Sequence, residues 1–219
     1  MNELPTISIG HCDDFDLDGA GSADTWQQAQ WIPLQRINGK VPYLAHAKIL
    51  YSRRGIYFLF ECEDRRLTNT GLQDFDELFR EDVVEVFLWT DQSLPIYFEY
   101  ELSPLGAELP LLIPNAGGSA MTAWRPWQYT QNRRARKATQ IRGGERKPQA
   151  AVQGWTAEIF IPTALLGGMP NSRPRPGVKW RGNLCRIDYD TGDPVYWALS
   201  PAVGNNFHRY DSFAHFTFE

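Results

Sequence analysis

Leu78-Phe79-Arg80-Glu81-Asp82-Val83-Val84-Glu85-Val86-Phe87-Leu88 decides how this chain is read. Its β-branched and aromatic residues alternate with a period of two, the signature of a β-strand. Val84, Val86 and Leu88 share one face; Val83, Glu85, Phe87 and Trp89 share the other. Glu85 is thus a lone carboxylate among apolar neighbours on its own side. Burying an ionised carboxylate without partners costs several kcal/mol. A cation, a ligand hydroxyl or a metal would each offset that cost, so this side reads as a binding face.

Outward from this stretch the same period repeats. Candidate strands fall at 43–51, 56–63, 82–89, 96–102, 108–113, 134–141, 154–161, 178–189, 195–199 and 214–218, with Gly and Pro between them. Short helical turns are expected at 24–30, 73–78 and 162–166. Many short strands without alternating helices predict an all-β fold, an antiparallel β-sandwich of jelly-roll or immunoglobulin-like type. The 219 residues fit one domain, 1–219.

Composition narrows the function. The 22 Lys+Arg against 26 Asp+Glu, formally −4, lack the basic footprint of a nucleic-acid binder. No apolar run reaches a membrane span. The basic stretch 132–148 is read as a charged edge strand and loop rather than a polyanion site. Cys12, Cys62 and Cys185 match neither a disulfide framework nor a zinc motif. Met1-Asn2-Glu3-Leu4-Pro5 has no signal-peptide pattern, so the chain as written is expected in the cytoplasm. A piece of a secreted protein would look the same. Oligomeric state is not legible.

The strand 96–102 places Tyr97, Glu99 and Glu101 opposite Ile96, Phe98, Tyr100 and Leu102. Near the end, Leu184, Arg186 and Asp188 alternate with Cys185, Ile187 and Tyr189. If these strands join one sheet, its open side is expected to display Glu85, Glu99, Glu101, Arg186 and Asp188. Arg186 is the natural partner of Glu85 or Glu99, because its forked donors match a carboxylate. Aromatic rings beside carboxylates, guanidinium and amides suit a sugar, which has apolar C–H faces and a rim of hydroxyls. An ion-paired solvated face is the plainer alternative. Two acids on one face also raise glycoside hydrolysis, with Glu85 paired to Glu99 or Glu101. An arginine nearby would lower their pKa values and disfavour a general acid.

Asp14-Phe15-Asp16-Leu17-Asp18-Gly19 imitates the start of a calcium loop, although its twelfth position is Thr25 rather than Glu. Asp14, Asp16 and Asp18 are the candidate metal ligands, for a structural calcium completed by other segments. His208, in Asn205-Asn206-Phe207-His208-Arg209, stands out among four histidines.

The ordered set Asp18-Gly19, Asp24-Thr25-Trp26, Gly55-Ile56-Tyr57-Phe58, Glu63-Asp64 and Glu81–Phe87 resembles a carbohydrate-binding module of family 9, in the DOMON-like group. Tyr97-Phe98-Glu99-Tyr100, Gly154–Pro162, Trp180–Asp188 and Phe207-His208 continue that resemblance. It implies a β-sandwich that binds mono- or oligosaccharides without cleaving them, beside polysaccharide-degrading systems. It also implies two aromatic clamps, polar side chains on the hydroxyls, and often structural calcium. By position the clamps correspond to Phe79 and to Phe207 or His208, the strand glutamate to Glu85, a late-strand polar residue to Arg186, and a loop amide to Asn205. Both clamps are phenylalanine where the family has tryptophan, and Glu99 stands near an expected arginine. Haem binding, known among DOMON-like domains, needs axial Met or His; Met1, Met121 and Met169 are the only methionines.

Overall fold

A computed structural model describes residues 3–117, 121, 123–127, 130–202, 204 and 206–219. Their strands are β1 Thr6–His11, β2 Ile32–Pro33, β3 Gln35–Arg36, β4 Ala45–Tyr51, β5 Gly55–Glu63, β6 Val83–Trp89 and β7 Ile96–Leu102. There follow β8 Glu108–Pro114, β9 Arg125–Pro126, β10 Arg136–Arg142, β11 Gly154–Pro162, β12 Lys179–Asp188, β13 Val195–Ala198 and β14 Ala214–Phe218. The only helical pieces among the described residues are short 3-10 turns, such as Leu78–Arg80. Among the described residues no helix is long and apolar enough to cross a membrane.

The chain is nearly all β, as its periodicity predicts, but it is not purely antiparallel. The strands run β10-β11-β5-β4-β1-β14-β12-β6-β7-β8-β9, with β13 also on β12. β1 pairs in parallel on both sides: Thr6–Ile9 with His215–Phe218, then Gly10–His11 with Leu50–Tyr51. The sequence reading omits β1, although Thr6-Ile7-Ser8-Ile9 does alternate, because the run is short and partly exposed. Yet this strand joins two halves of a curled, mixed sheet.

The halves close on one another because each has an apolar inner face. Val84, Val86, Phe98, Tyr100 and Leu184 from one share a core with Ala47, Ile49, Phe58, Phe60, Trp155 and Ile159 from the other. A second cluster, with Val83, Phe87, Tyr97, Leu111, Ile187 and Phe213, covers the outer face of the first half. A third, with Trp26, Tyr57 and Phe160, lies under the N-terminal segment. Strands buried on both faces explain why β6 is apolar throughout except at Glu85.

Arg186 is where the sequence expectation fails most. In the β6–β12 register Cys185 faces Glu85 while Arg186 faces Val84. Residues directly opposite point to the same side, so Arg186 enters the inner core with Val84. There it is fully buried. Its guanidinium donates to Asp64 at 3.1 Å, to Asp188 at 2.7 Å and to the Glu63 carbonyl at 2.6 Å. It also stacks over Trp197 at 4.8 Å. Asp188 shares this inner face, so neither residue joins Glu85. The guanidinium ties the end of β5 to β12 across the layers.

The Asp14-to-Gly19 stretch is a latch. Glu158 of β11 accepts the backbone N–H of Asp18 (2.9 Å) and Gly19 (2.6 Å), and the Trp26 indole N–H (2.7 Å). Gly19 has φ +85°, and a Cβ there would lie 2.8 Å from the Thr139 backbone, so only glycine fits. The expected calcium ligands diverge. Asp14 accepts the hydroxyls of Ser52 (2.6 Å) and Tyr57 (2.9 Å). Asp16 meets Arg136, and Asp18 caps its own turn through the Ala20 and Gly21 N–H groups and the Ser22 hydroxyl. Protein donors already serve all three, and among the described residues they are not part of a compact acidic group. The basic stretch behaves as an edge: β10 is the terminal strand, and Lys137 and Arg142 pair with Asp74 and Glu61.

Replacing Arg186 with methionine removes the cation while leaving Asp64 and Asp188 buried. Stability in urea is expected to fall by about 3–5 kcal/mol. An Arg186→Met protein as stable as the parent would remove the guanidinium from this central position.

Candidate functional site

The outer face of β6 and β7 carries the chemistry. Glu101 lies directly across from Glu85, and Glu99 one pleat further along, opposite Phe87. Like charges so placed repel, and here they are also buried. Glu85, Glu99 and Glu101 are 2 %, 3 % and 0 % exposed, and one oxygen of each lies within 4.8 Å of the others. Glu99 Oε2 and both Glu101 oxygens have no hydrogen-bond partner. The three carboxyls converge, and those of Glu99 and Glu101 carry the unpartnered oxygens.

Their titration follows. Burial lifts Glu85 to about 8. Burial, then the nearby Glu85 charge, pushes Glu99 and Glu101 well above the carboxylate range. The largest charge effects on Glu99 and Glu101 come from neighbouring carboxyls. His208 Nδ1 lies 3.9 Å from Glu99 Oε2 and 2.8 Å from the Tyr97 hydroxyl. Burial lowers this imidazole to about 4, so it is neutral near pH 7 and supplies no counter-charge.

Above the carboxyls lies a cavity of about 240 Å³. Leu111 and Ile187 contribute apolar floor; Phe79, Tyr189, Tyr196, Trp124 and Phe207 contribute rings. Phe79, Tyr189, Tyr196 and Phe207 are placed by fold contacts. The Tyr189 hydroxyl donates to the Phe79 carbonyl at 2.8 Å, fixing the turn that carries Phe79. Tyr196 packs edge-on against Phe207 at 5.3 Å. The Asn115 amide donates to the His208 carbonyl at 2.8 Å, pinning the late loop. Asn206 holds that loop from within, accepting the His208 N–H at 2.9 Å.

Of the residues the sequence singles out, the structure brings Phe79, Glu85, Glu99, Phe207 and His208 to one cavity. Arg186 is absent from it, for the register reason above. Asn205 lies outside the described residues, although its neighbour Asn206 lines the cavity. Glu101 shares the expected face yet is a stronger member than its place in the sequence reading suggests. Tyr189 and Tyr196 were missed. For Tyr189 the period-two signal was present: it alternates with Arg186 and Asp188 and therefore follows Cys185 and Ile187 outward. A second acidic group, Asp64, Asp188 and Asp190, is also compact, but Arg186 already occupies it.

The carboxyls make stability depend on pH. Their folded pKa values are raised, so the folded state holds protons that the unfolded chain has lost. The stabilising contribution is complete below the ordinary carboxyl value near 4.5 and disappears as pH rises through about 8. The unliganded protein is therefore expected to melt at lower temperature at pH 8 than at pH 5. Glu101→Gln, neutral in both states, is expected to flatten that slope; thermal unfolding across this range checks it. An identical slope in the variant would refute the shared burial cost.

Comparisons with known proteins agree with this architecture. Residues 17–104 match the family model described as Carbohydrate family 9 binding domain-like. No curated protein sequence matches the chain. Among solved structures, a Bacteroides uniformis ATCC 8492 protein for which carbohydrate binding has been suggested superposes with a TM-score of 0.79 at 15% identity, over 99% of this chain and 100% of that one. A family 9 carbohydrate binding module from Caldicellulosiruptor kristjanssonii, in complex with cellotriose, gives 0.68 at 14% identity, over 98% and 93%. Its complex with glucose gives 0.68 at 15%, over 98% and 95%. At these identities the likeness is one of fold. Residues 17–104 are similar in sequence to the Carbohydrate family 9 binding domain-like model, and nearly the whole chain shares the fold of a family 9 carbohydrate binding module.

Proposed function

We propose that the protein binds a mono- or oligosaccharide, without cleaving it, in the cavity above Glu85, Glu99 and Glu101. The observation that carries this reading is a set of buried carboxyls, with Glu99 Oε2 and both Glu101 oxygens unpartnered, at the base of a ring-lined space. Sugar C–H faces lie against Phe79 and the late-loop ring Phe207, and hydroxyls take the hydrogen bonds the carboxyls lack. The fold neighbours determined with cellotriose and glucose support the ligand class. Hydrolysis fits less well. It needs two carboxyls flanking the scissile bond, whereas these project from adjacent strands of one sheet face and meet a ligand from one side. The two-layer core is read, in the same frame, as a β-sandwich forming a single domain.

Calorimetry with glucose, cellotriose and a wider sugar panel tests the reading. Glu85→Gln is expected to weaken binding about three- to tenfold, a hydrogen bond to an uncharged carboxyl being worth about 0.5–1.5 kcal/mol. Phe79→Ala is expected to weaken it about fivefold, through loss of about 1 kcal/mol of ring contact. Unchanged affinity in both folded variants, or new reducing ends on incubation with oligosaccharides, would overturn it.

A further inference from the structure

A neutral sugar is usually met by alternating donors and acceptors, because each hydroxyl both gives and takes a hydrogen bond. The base of this cavity offers three carboxyls and no cation. None of the residues outside the described set is Lys or Arg, so no basic side chain from them can complete the site. Several polar groups on the wall are already engaged: Tyr189 with the Phe79 carbonyl, His208 with Tyr97, and the Asn206 side-chain oxygen with the His208 N–H. What is missing is one compact positive charge with several N–H donors.

We propose that the ligand is an amino sugar, a 2-amino-2-deoxyhexose or an oligomer of it, whose ammonium sits against Glu85, Glu99 and Glu101. The proposal rests on the carbohydrate reading above and specifies its substrate class. An ammonium brings three donors and no acceptor, matching the unpartnered Glu99 Oε2 and the two Glu101 oxygens. Those side chains are 3 % and 0 % exposed, which strengthens a charge pair once the cavity is filled. The opposite walls argue for an organic cation over a metal ion. Calcium takes six to eight oxygens and magnesium a near-octahedral set, whereas this cavity turns to carbon on its other sides, at Phe79, Leu111, Ile187 and Phe207. Those walls suit the C–H face of a sugar ring, and the rings favour a cation near their faces.

Burial holds the carboxyl pKa values above their ordinary range, so near neutral pH the carboxyls carry protons that a cation can displace. Burial keeps Cys185, Tyr97, Tyr189 and Tyr196 protonated and His208 neutral. An ammonium therefore draws protons off the carboxyls as it binds, and a neutral sugar does not.

The test is calorimetry on the full chain at pH 6.5 with a chelator present, using glucosamine, N-acetylglucosamine, glucose and ethanolamine. Glucosamine is expected to bind at least 10-fold more tightly than glucose. N-acetylation, which removes the charge, is expected to abolish that advantage. Glucosamine binding is also expected to release protons, read as a heat that varies with the ionisation enthalpy of the buffer. Glu101→Gln, and independently Glu99→Gln, are expected to shrink the glucosamine-to-glucose ratio toward one. Glucose bound as tightly as glucosamine would overturn the amino-sugar assignment and leave carbohydrate binding standing. No binding by any sugar would overturn both. Ethanolamine as tight as glucosamine, or calcium alone binding in chelator-free buffer with loss in Glu101→Gln, would replace the amino sugar with a plain amine or a metal.

Discussion

The buried guanidinium of Arg186 is the constraint on which the arrangement depends. Set between Asp64 and Asp188, and over Trp197, it fixes which face of β12 looks inward. Side chains alternate along a strand, so Cys185, Ile187 and Tyr189 must then face outward. That outward face carries Ile187 and Tyr189 into the cavity and sets Cys185 beside Glu85. A shift of one residue would reverse every assignment. The ion pair spans the layers at the end of β5, so the same contact that packs the core also orients the site.

The core and the cavity solve the problem of buried charge differently. Asp64 and Asp188 have a cation, a tryptophan N–H on Asp64, and backbone donors. Glu85, Glu99 and Glu101 have almost nothing, and their titration is displaced upward. Structure keeps such a cost where something else offsets it; in a folded protein the usual place is a ligand site. The rings above the trio are supported from behind by packed side chains and backbone hydrogen bonds, so the cavity stands preformed. A preformed site spends less of its binding energy on ordering.

The family-like signature residues do more than mark a family. Asp18-Gly19 and Trp26 converge on Glu158, where backbone N–H groups and an indole satisfy a buried carboxyl. Their spacing reflects an N-terminal segment strapped over the third apolar cluster. What resembles a calcium loop in one dimension is a capped turn and two separate side-chain anchors in three.

Alternation alone was enough to locate the main strands and to place Glu85, Glu99 and Glu101 on faces opposite the core residues of their own strands, because period two is a local property of the backbone; Phe79 and Phe207 were suggested only by the family resemblance. The sequence by itself therefore determined the all-β class and most of the acidic, ring-bearing face. It could not give the relation between strands: which residue of β12 lies against Glu85, whether Arg186 looks in or out, or that β1 runs parallel between the layers. Nor could it show that Asp14, Asp16 and Asp18 part company, or that Tyr189 and Tyr196 close the cavity. Those outcomes are set by register and by contacts between distant segments, and only the folded chain, weighing burial of every face at once, decides them.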